Sequence, residues 1–173
     1  MAGIYGGLTV EFREFRYKNF IVRKAEPGEG EVIHRLMLEL CDYENLSFEF
    51  RASPADIENI LFNLRCGDAL LVYDNESDGI IGVMLLSYNY SSFNGRPGIF
   101  IEDFYIREPF RRQGIGTAML TRLKWLAKEQ GFGRIDWLCL KNNSASVDFY
   151  RSCGARIMDG WLLFRLTEED FER

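Results

Sequence analysis

A strand-like run from Gly98 to Ile106 is followed, within a few residues, by glycines at 114 and 116 and then by a long helical pattern reaching about Gln130. A strand, a tight turn and a long amphipathic helix in that order make the helix fold back across a sheet. The rest of the chain fits around this unit. Phe20-Ile21-Val22-Arg23 reads as a short strand, and the apolar period of Val32, Ile33, Leu36, Met37 and Leu40 predicts a helix ending near Tyr43. Ser53 caps a second helix with Pro54 at its first position and Ile57, Ile60, Leu61 and Leu64 as its buried stripe. Ala69 to Tyr73 and Ile80 to Tyr90 are strands joined by a turn-rich stretch. After the long helix, Arg134 to Leu140 reads as a strand, Ser144 to Cys153 as a helix closed by Gly154, and Trp161 to Leu166 as a final strand.

This order predicts an α+β chain with a mixed, mostly antiparallel sheet of about six to seven strands, flanked by helices on both faces. Residues 1–19 read as an N-terminal arm, as an extra strand, a dimer contact or a loose tail, and 20–173 as the main domain. No apolar window is long enough to span a membrane and no signal-like core opens the chain, so a soluble, cytoplasmic protein is expected.

Composition narrows the chemistry. The net charge of −5 disfavours a nucleic-acid surface and suits a cationic ligand. Cys41, Cys66, Cys139 and Cys153 are scattered and read as buried free thiols. The single histidine, His34, lies off the apolar stripe of its helix, at a solvated position, which disfavours Ser-His-Asp chemistry and multi-histidine metal sites. No metal is expected.

The segment Arg111-Arg112-Gln113-Gly114-Ile115-Gly116-Thr117 is the one best suited to a ligand. Its glycines let backbone N–H groups approach without side-chain obstruction, and the helix that follows offers unpaired donors and a positive dipole end. That is a seat for a diphosphate, with Arg107, Arg111 and Arg112 nearby. A glycine-rich loop beside a solvated arginine face is the alternative. No Lys-Ser/Thr follows the glycines, so a Walker loop is excluded, and G-x-G-x-x-G is incomplete.

Three motifs in order, Phe100-Ile101-Glu102-Asp103-Phe104-Tyr105-Ile106, Arg111 to Gly116, and Asn143-Ser144-Ala145-Ser146-Val147-Asp148-Phe149-Tyr150 with Cys153-Gly154-Ala155, resemble the GNAT superfamily of acetyl-CoA-dependent N-acetyltransferases. Phe20 to Arg23, Glu39 to Glu44, Glu102-Asp103-Phe104 and Gly160 to Phe164 are similar to its diamine acetyltransferases, the spermidine/spermine and thialysine group. That resemblance runs from about residue 20 to 171.

The resemblance implies an enzyme that binds acetyl-CoA through Phe104, Tyr105, Ile106, Arg111, Arg112, Gln113, Gly114, Ile115, Gly116, Thr117, Asn143, Ser144, Ala145, Ser146 and Tyr150. It implies Glu102 as the base, acting directly or through a water, and Tyr150 as the acid for the leaving sulfur. Adjacent on a strand, Glu102 and Asp103 are expected to point to opposite faces. Tyr43, Glu44, Glu102, Asp103, Asp136, Trp137, Leu138, Asp159 and Trp161 stand where the family holds its cationic acceptor. Four of these site residues have a plainer reading: Glu102 as a carboxylate beside a sheet, Tyr150 as a half-buried tyrosine, Trp161 as core, Glu44 as helix surface.

Polyamine-acetylating members carry an acidic residue and a tryptophan before the fourth strand, where this chain reads Ser91-Ser92-Phe93. A thialysine- or lysine-like amine or a short diamine is therefore expected over a polyamine. The resemblance also implies a homodimer. Two other readings remain open: a GNAT enzyme acting on a protein N-terminus or lysine, and a non-catalytic acetyl-CoA-binding module.

Overall fold

The computed structural model describes residues 8–171. It divides into two compact units, one ending at Leu140 and one beginning at Lys141.

The first unit is built on six strands in the order β1 (Phe15–Tyr17), β2 (Phe20–Lys24), β3 (Gly67–Asp74), β4 (Gly79–Ser91), β5 (Arg96–Ile106) and β6 (Arg134–Trp137). Sequence order and spatial order coincide. All neighbours are antiparallel except β5 and β6, whose parallel pairing requires a crossover, supplied by α3 (Ile115–Glu129). Helices α1 (Gly30–Glu44) and α2 (Pro54–Glu58) connect β2 to β3.

Strand alternation divides the core in two. Ala69, Leu71, Val83 and Tyr105 pack with Ile33, Leu36, Met37 and Leu40 of α1 and Ile57 of α2. Their neighbours Leu70, Val72, Met84, Leu86, Ile99 and Ile101, equally buried, point to the other face. The buried stripe of α3 is Ile115, Met119, Leu120, Leu123, Leu126 and Ala127.

Ser53 caps α2 through a reciprocal box with Asp56, and Pro54 opens the helix, as its sequence implies. The expected stripe does not continue. Asn59–Asn63 is a π-helical turn, which leaves Ile57 buried and Leu61 half-buried but turns Ile60 and Leu64 out to solvent. His34 is half-buried against the Phe50 ring, 5.4 Å away, rather than solvated, and the four free cysteines are half-buried.

The N-terminal arm enters the sheet at Phe15, where β1 extends the edge beyond β2. Its first seven residues lie outside the described residues.

In the second unit, α4 (Ser144–Ser152) is capped by Asn143, and Gly154 takes the positive φ of a helix stop. The expected strand at Trp161–Leu166 is absent. Among the described residues no strand pairs with this segment, and its apolar side chains are exposed. An extended segment becomes a strand only through a ladder, and none is formed here. Strand β6 is likewise shorter than expected, stopping at Trp137 instead of Leu140.

Candidate active site

Two irregularities in the middle of β5 shape the candidate site. On its β4 side the register shifts: Leu85 faces Asp103 and Leu86 faces Ile101, so Glu102 is an extra residue in a β-bulge. On its β6 side the ladder ends at Ile101 opposite Trp137, one residue before the bulge. From Asp103 to Ile106, β5 is laddered to β4 alone among the described residues.

The bulge overturns the expectation that the two carboxylates face opposite ways. Ser87 Oγ donates a hydrogen bond to Glu102 Oε1, and Asp103 pairs with Leu85. Leu85 and Ser87 are two apart on β4 and share the face on which Leu85 packs against the α1 cluster. Both carboxylates therefore address that side. Burial, with the charges of Glu102 and Glu44 added to it, pushes the Asp103 carboxyl up to about 6. Glu44, the last residue of α1, also helps burial raise the Cys139 thiol. Glu44, Glu102 and Asp103 thus form one acidic neighbourhood beside the place where β5 and β6 part. Ser87 was missed in the sequence. A serine following the apolar run Val83 to Leu86 was the available signal.

Beside Glu44, the exposed Tyr43 ring lies 4.3 Å beneath the Arg111 guanidinium, whose Nε donates to Ile106 O at 2.7 Å. Arg107 is equally committed: it grips Glu39 with two hydrogen bonds of 2.8 and 2.6 Å and donates to Ile80 O. These two arginines brace the end of β5 against α1 and β4, whereas Arg112 is exposed. Asp136 is paired with Arg134 at 2.9 Å, Trp137 closes β6 half-buried, and Leu138 is exposed beyond it.

The glycine loop has the geometry its sequence implies. Arg112 and Gly114 both take positive φ, +59° and +89°, and Gly114 is the N-cap of α3 with no side chain capping the helix. Gln113 and Thr117 are exposed, Gly116 is half-buried and Ile115 anchors the turn in the core. A side chain at Gly114 would strike the Tyr17 hydroxyl. Uncapped N–H groups of a first helical turn, approached across glycines, suit a diphosphate.

On the second unit, Asn143 Oδ1 accepts from Ser146 N at 3.2 Å, Ser144 and Ala145 are exposed, and the half-buried Tyr150 ring packs at 5.2 Å from Phe149. Asp159 and Trp161 are exposed. Among the described residues no cluster of three His, Cys, Asp or Glu could hold a metal, and no helix is long and apolar enough to cross a membrane.

Comparison with known proteins places this arrangement. The model of the acetyltransferase (GNAT) family matches residues 35–155, spanning the bulge, the glycine loop and Tyr150. The chain belongs to that family. It is an N-acetyltransferase by family, and GNAT enzymes in general use acetyl-CoA. It is 30% identical to the thialysine N-epsilon-acetyltransferase of Sus scrofa, over 86% of this chain and 93% of that one. It is 27% identical to the L-ornithine N5-acetyltransferase NATA1 of Arabidopsis thaliana, over 84% and 83%. The fold is similar to that of a possible acetyltransferase from Clostridium difficile 630, with a TM-score of 0.71 at 14% identity, covering 87% of this chain and 98% of that one.

Proposed function

We propose that the protein transfers an acetyl group from acetyl-CoA to the primary amine of a small cationic acceptor, a thialysine- or lysine-like amine or a short diamine in preference to a polyamine. The observation that carries this reading is the acidic neighbourhood of Glu44, Glu102 and Asp103 where β5 leaves β6. Three carboxylates with the Tyr43 ring nearby suit an alkylammonium. The names of the two relatives, one acting on thialysine and one on L-ornithine, support an amine on a short chain. The Ser91-Ser92-Phe93 loop offers no carboxylate to a distal ammonium.

The residues present fit acetyl-CoA, which when bound supplies the activated acetyl group. The glycine loop from Arg111 to Thr117 would hold its diphosphate, with Asn143 to Ser146 and Tyr150 as the further contacts the family resemblance implies. The edge of Phe104 to Ile106 would run beside its pantetheine arm.

An alkylammonium has a pKa near 10.4 and must lose its proton before it attacks a thioester. Glu102, which accepts a hydrogen bond from Ser87, would accept that proton directly or through a water. Backbone N–H groups along the parted strand would stabilise charge on the thioester oxygen. Tyr150, as general acid, would protonate the departing sulfur. The elevated Asp103 carboxyl favours a second assignment, with Asp103 as the proton acceptor, since the more basic carboxylate takes a proton more readily.

A homodimer and a cytoplasmic location belong to the same reading. Trp161, Leu162, Leu163 and Phe164 are 67–85% exposed, an apolar run suited to burial against a second copy. The free cysteines suit a reducing compartment.

A panel of amines with acetyl-CoA, read by thiol release, tests the function. Thialysine, lysine, ornithine and short diamines are expected to exceed spermidine. Spermidine turning over far faster than all of them would overturn the preference, acceptance of peptides alone would favour a protein substrate, and no thiol release at all would leave a binding module. The base is tested by pH. Wild-type kcat/KM is expected to gain a limb near pH 6, and Asp103→Asn loses it if Asp103 is the acceptor, whereas Glu102→Gln is then the milder variant. Because folded Asp103 keeps its proton to higher pH than the unfolded chain does, stability falls as pH rises from about 4 to about 6. Asp103→Asn is expected to flatten that decline in melting temperature.

A further inference from the structure

The N-terminal arm is tied to both ends of α3. At the helix C-terminus, Glu11 N donates to Gln130 Oε1 and Gln130 Nε2 donates back to Glu11 O, both at 2.9 Å. At the N-terminus, Lys18 Nζ donates to Gln113 O at 2.7 Å, and the Tyr17 hydroxyl occupies the space beside Gly114 that a side chain would need. The lengths agree. Seven residues of extended chain from Glu11 to Lys18 reach ~23 Å, and a helix of 15 residues is ~22 Å long. Between the two ties Phe15 and Tyr17 line an open groove of about 700 Å³ together with Thr117, Ala118, Thr121, Arg122 and Trp125 of α3.

The strap is itself anchored. Val10 is fully buried with its N–H donating to Tyr88, Thr9 bonds Asp68, and Phe15 to Tyr17 pair with β2. Lys18 takes φ +55° in the two-residue turn to β2, where Asn19 binds Asp74 and accepts from Asn75.

We propose that Tyr17 and Lys18, held by this strap, are positioning residues for the glycine loop. In a planar trans peptide the C=O and the next N–H point opposite ways. The Lys18 ammonium fixes the Gln113 carbonyl on the strap side, which turns the Gly114 N–H to the other side, towards a ligand. Tyr17 bars the loop from collapsing onto the strap. The coenzyme consequence rests on the reading of this loop as the diphosphate seat.

The test compares Lys18→Met, Lys18→Arg and Tyr17→Leu with wild type, using two donors: acetyl-CoA, and S-acetyl-pantetheine, which lacks the diphosphate. Lys18→Met is expected to raise KM for acetyl-CoA about tenfold, with kcat and the amine KM unchanged. S-acetyl-pantetheine kinetics stay at the wild-type level, and Lys18→Arg recovers most of the loss. An unchanged KM, or an equal penalty on both donors, overturns the proposal. Amide exchange in the absence of any donor gives the independent readout. Faster exchange at Gly114 to Thr117 in Lys18→Met and Tyr17→Leu, at unchanged melting temperature, supports positioning. Unchanged exchange overturns it even if acetyl-CoA is turned over. Faster exchange in a protein whose wild type takes no acetyl-CoA keeps the positioning role and removes the coenzyme reading.

Discussion

Helices α3 and α4 both begin at a motif that points to coenzyme binding, yet they start in opposite ways. The first opens on Gly114 with no capping side chain and is held by six buried residues and a tie from the N-terminal strap. The second opens on Asn143, whose side chain occupies the Ser146 N–H, and buries no residue fully. A helix stabilised along its length can leave its first N–H groups to a ligand, whereas a short one with little burial needs its cap. The difference fits the proposed function, in which α3 is the anion seat and α4 carries Tyr150.

Substitutions can break that contrast. The largest effect is expected from Gly114→Val, which combines a positive φ with a clash against Tyr17. It should reduce kcat/KM for acetyl-CoA by about a hundredfold, mostly through KM. Steady-state kinetics showing a loss confined to kcat would place the donor seat elsewhere. Next comes Tyr150→Phe, which should lower kcat at least about tenfold while calorimetry still detects coenzyme binding. Turnover at the wild-type level would remove Tyr150 from the chemistry. The smallest is Asn143→Ala, which should cost about 1 kcal/mol of helix stability through the lost cap. Faster amide exchange confined to α4, with KM for acetyl-CoA within about threefold of wild type, would sharpen the contrast. A KM rise matching that of Gly114→Val would erase it.

What could be read from the sequence was local. Ser53-Pro54 at a helix start, Gly114 before an apolar stripe, and Gly154 at a helix stop act over a few residues, and each formed the element it implied. What escaped was non-local. The bulge at Glu102 exists only in the register between β4 and β5, so a rule of strict alternation misassigned the face of a carboxylate. The strand expected at Trp161 to Leu166 failed for the same reason: an apolar run does not name its partner. The π-helical turn moved Ile60 and Leu64 off a stripe that simple periodicity had drawn through them. The roles of Ser87, Tyr17 and Lys18 depend on contacts made across the fold.

The ties between the strap and α3 join positions 95 and 119 apart in the chain. On a ribosome the arm emerges before its partners, which are synthesised roughly 5–24 s later at ordinary elongation rates. Through that interval Tyr17 can pair with β2, but neither it nor Lys18 has the glycine turn to hold. On the proposed positioning role, the strap settles only after the loop and helix have been made, and the glycine turn takes its working shape when segments synthesised far apart in time meet.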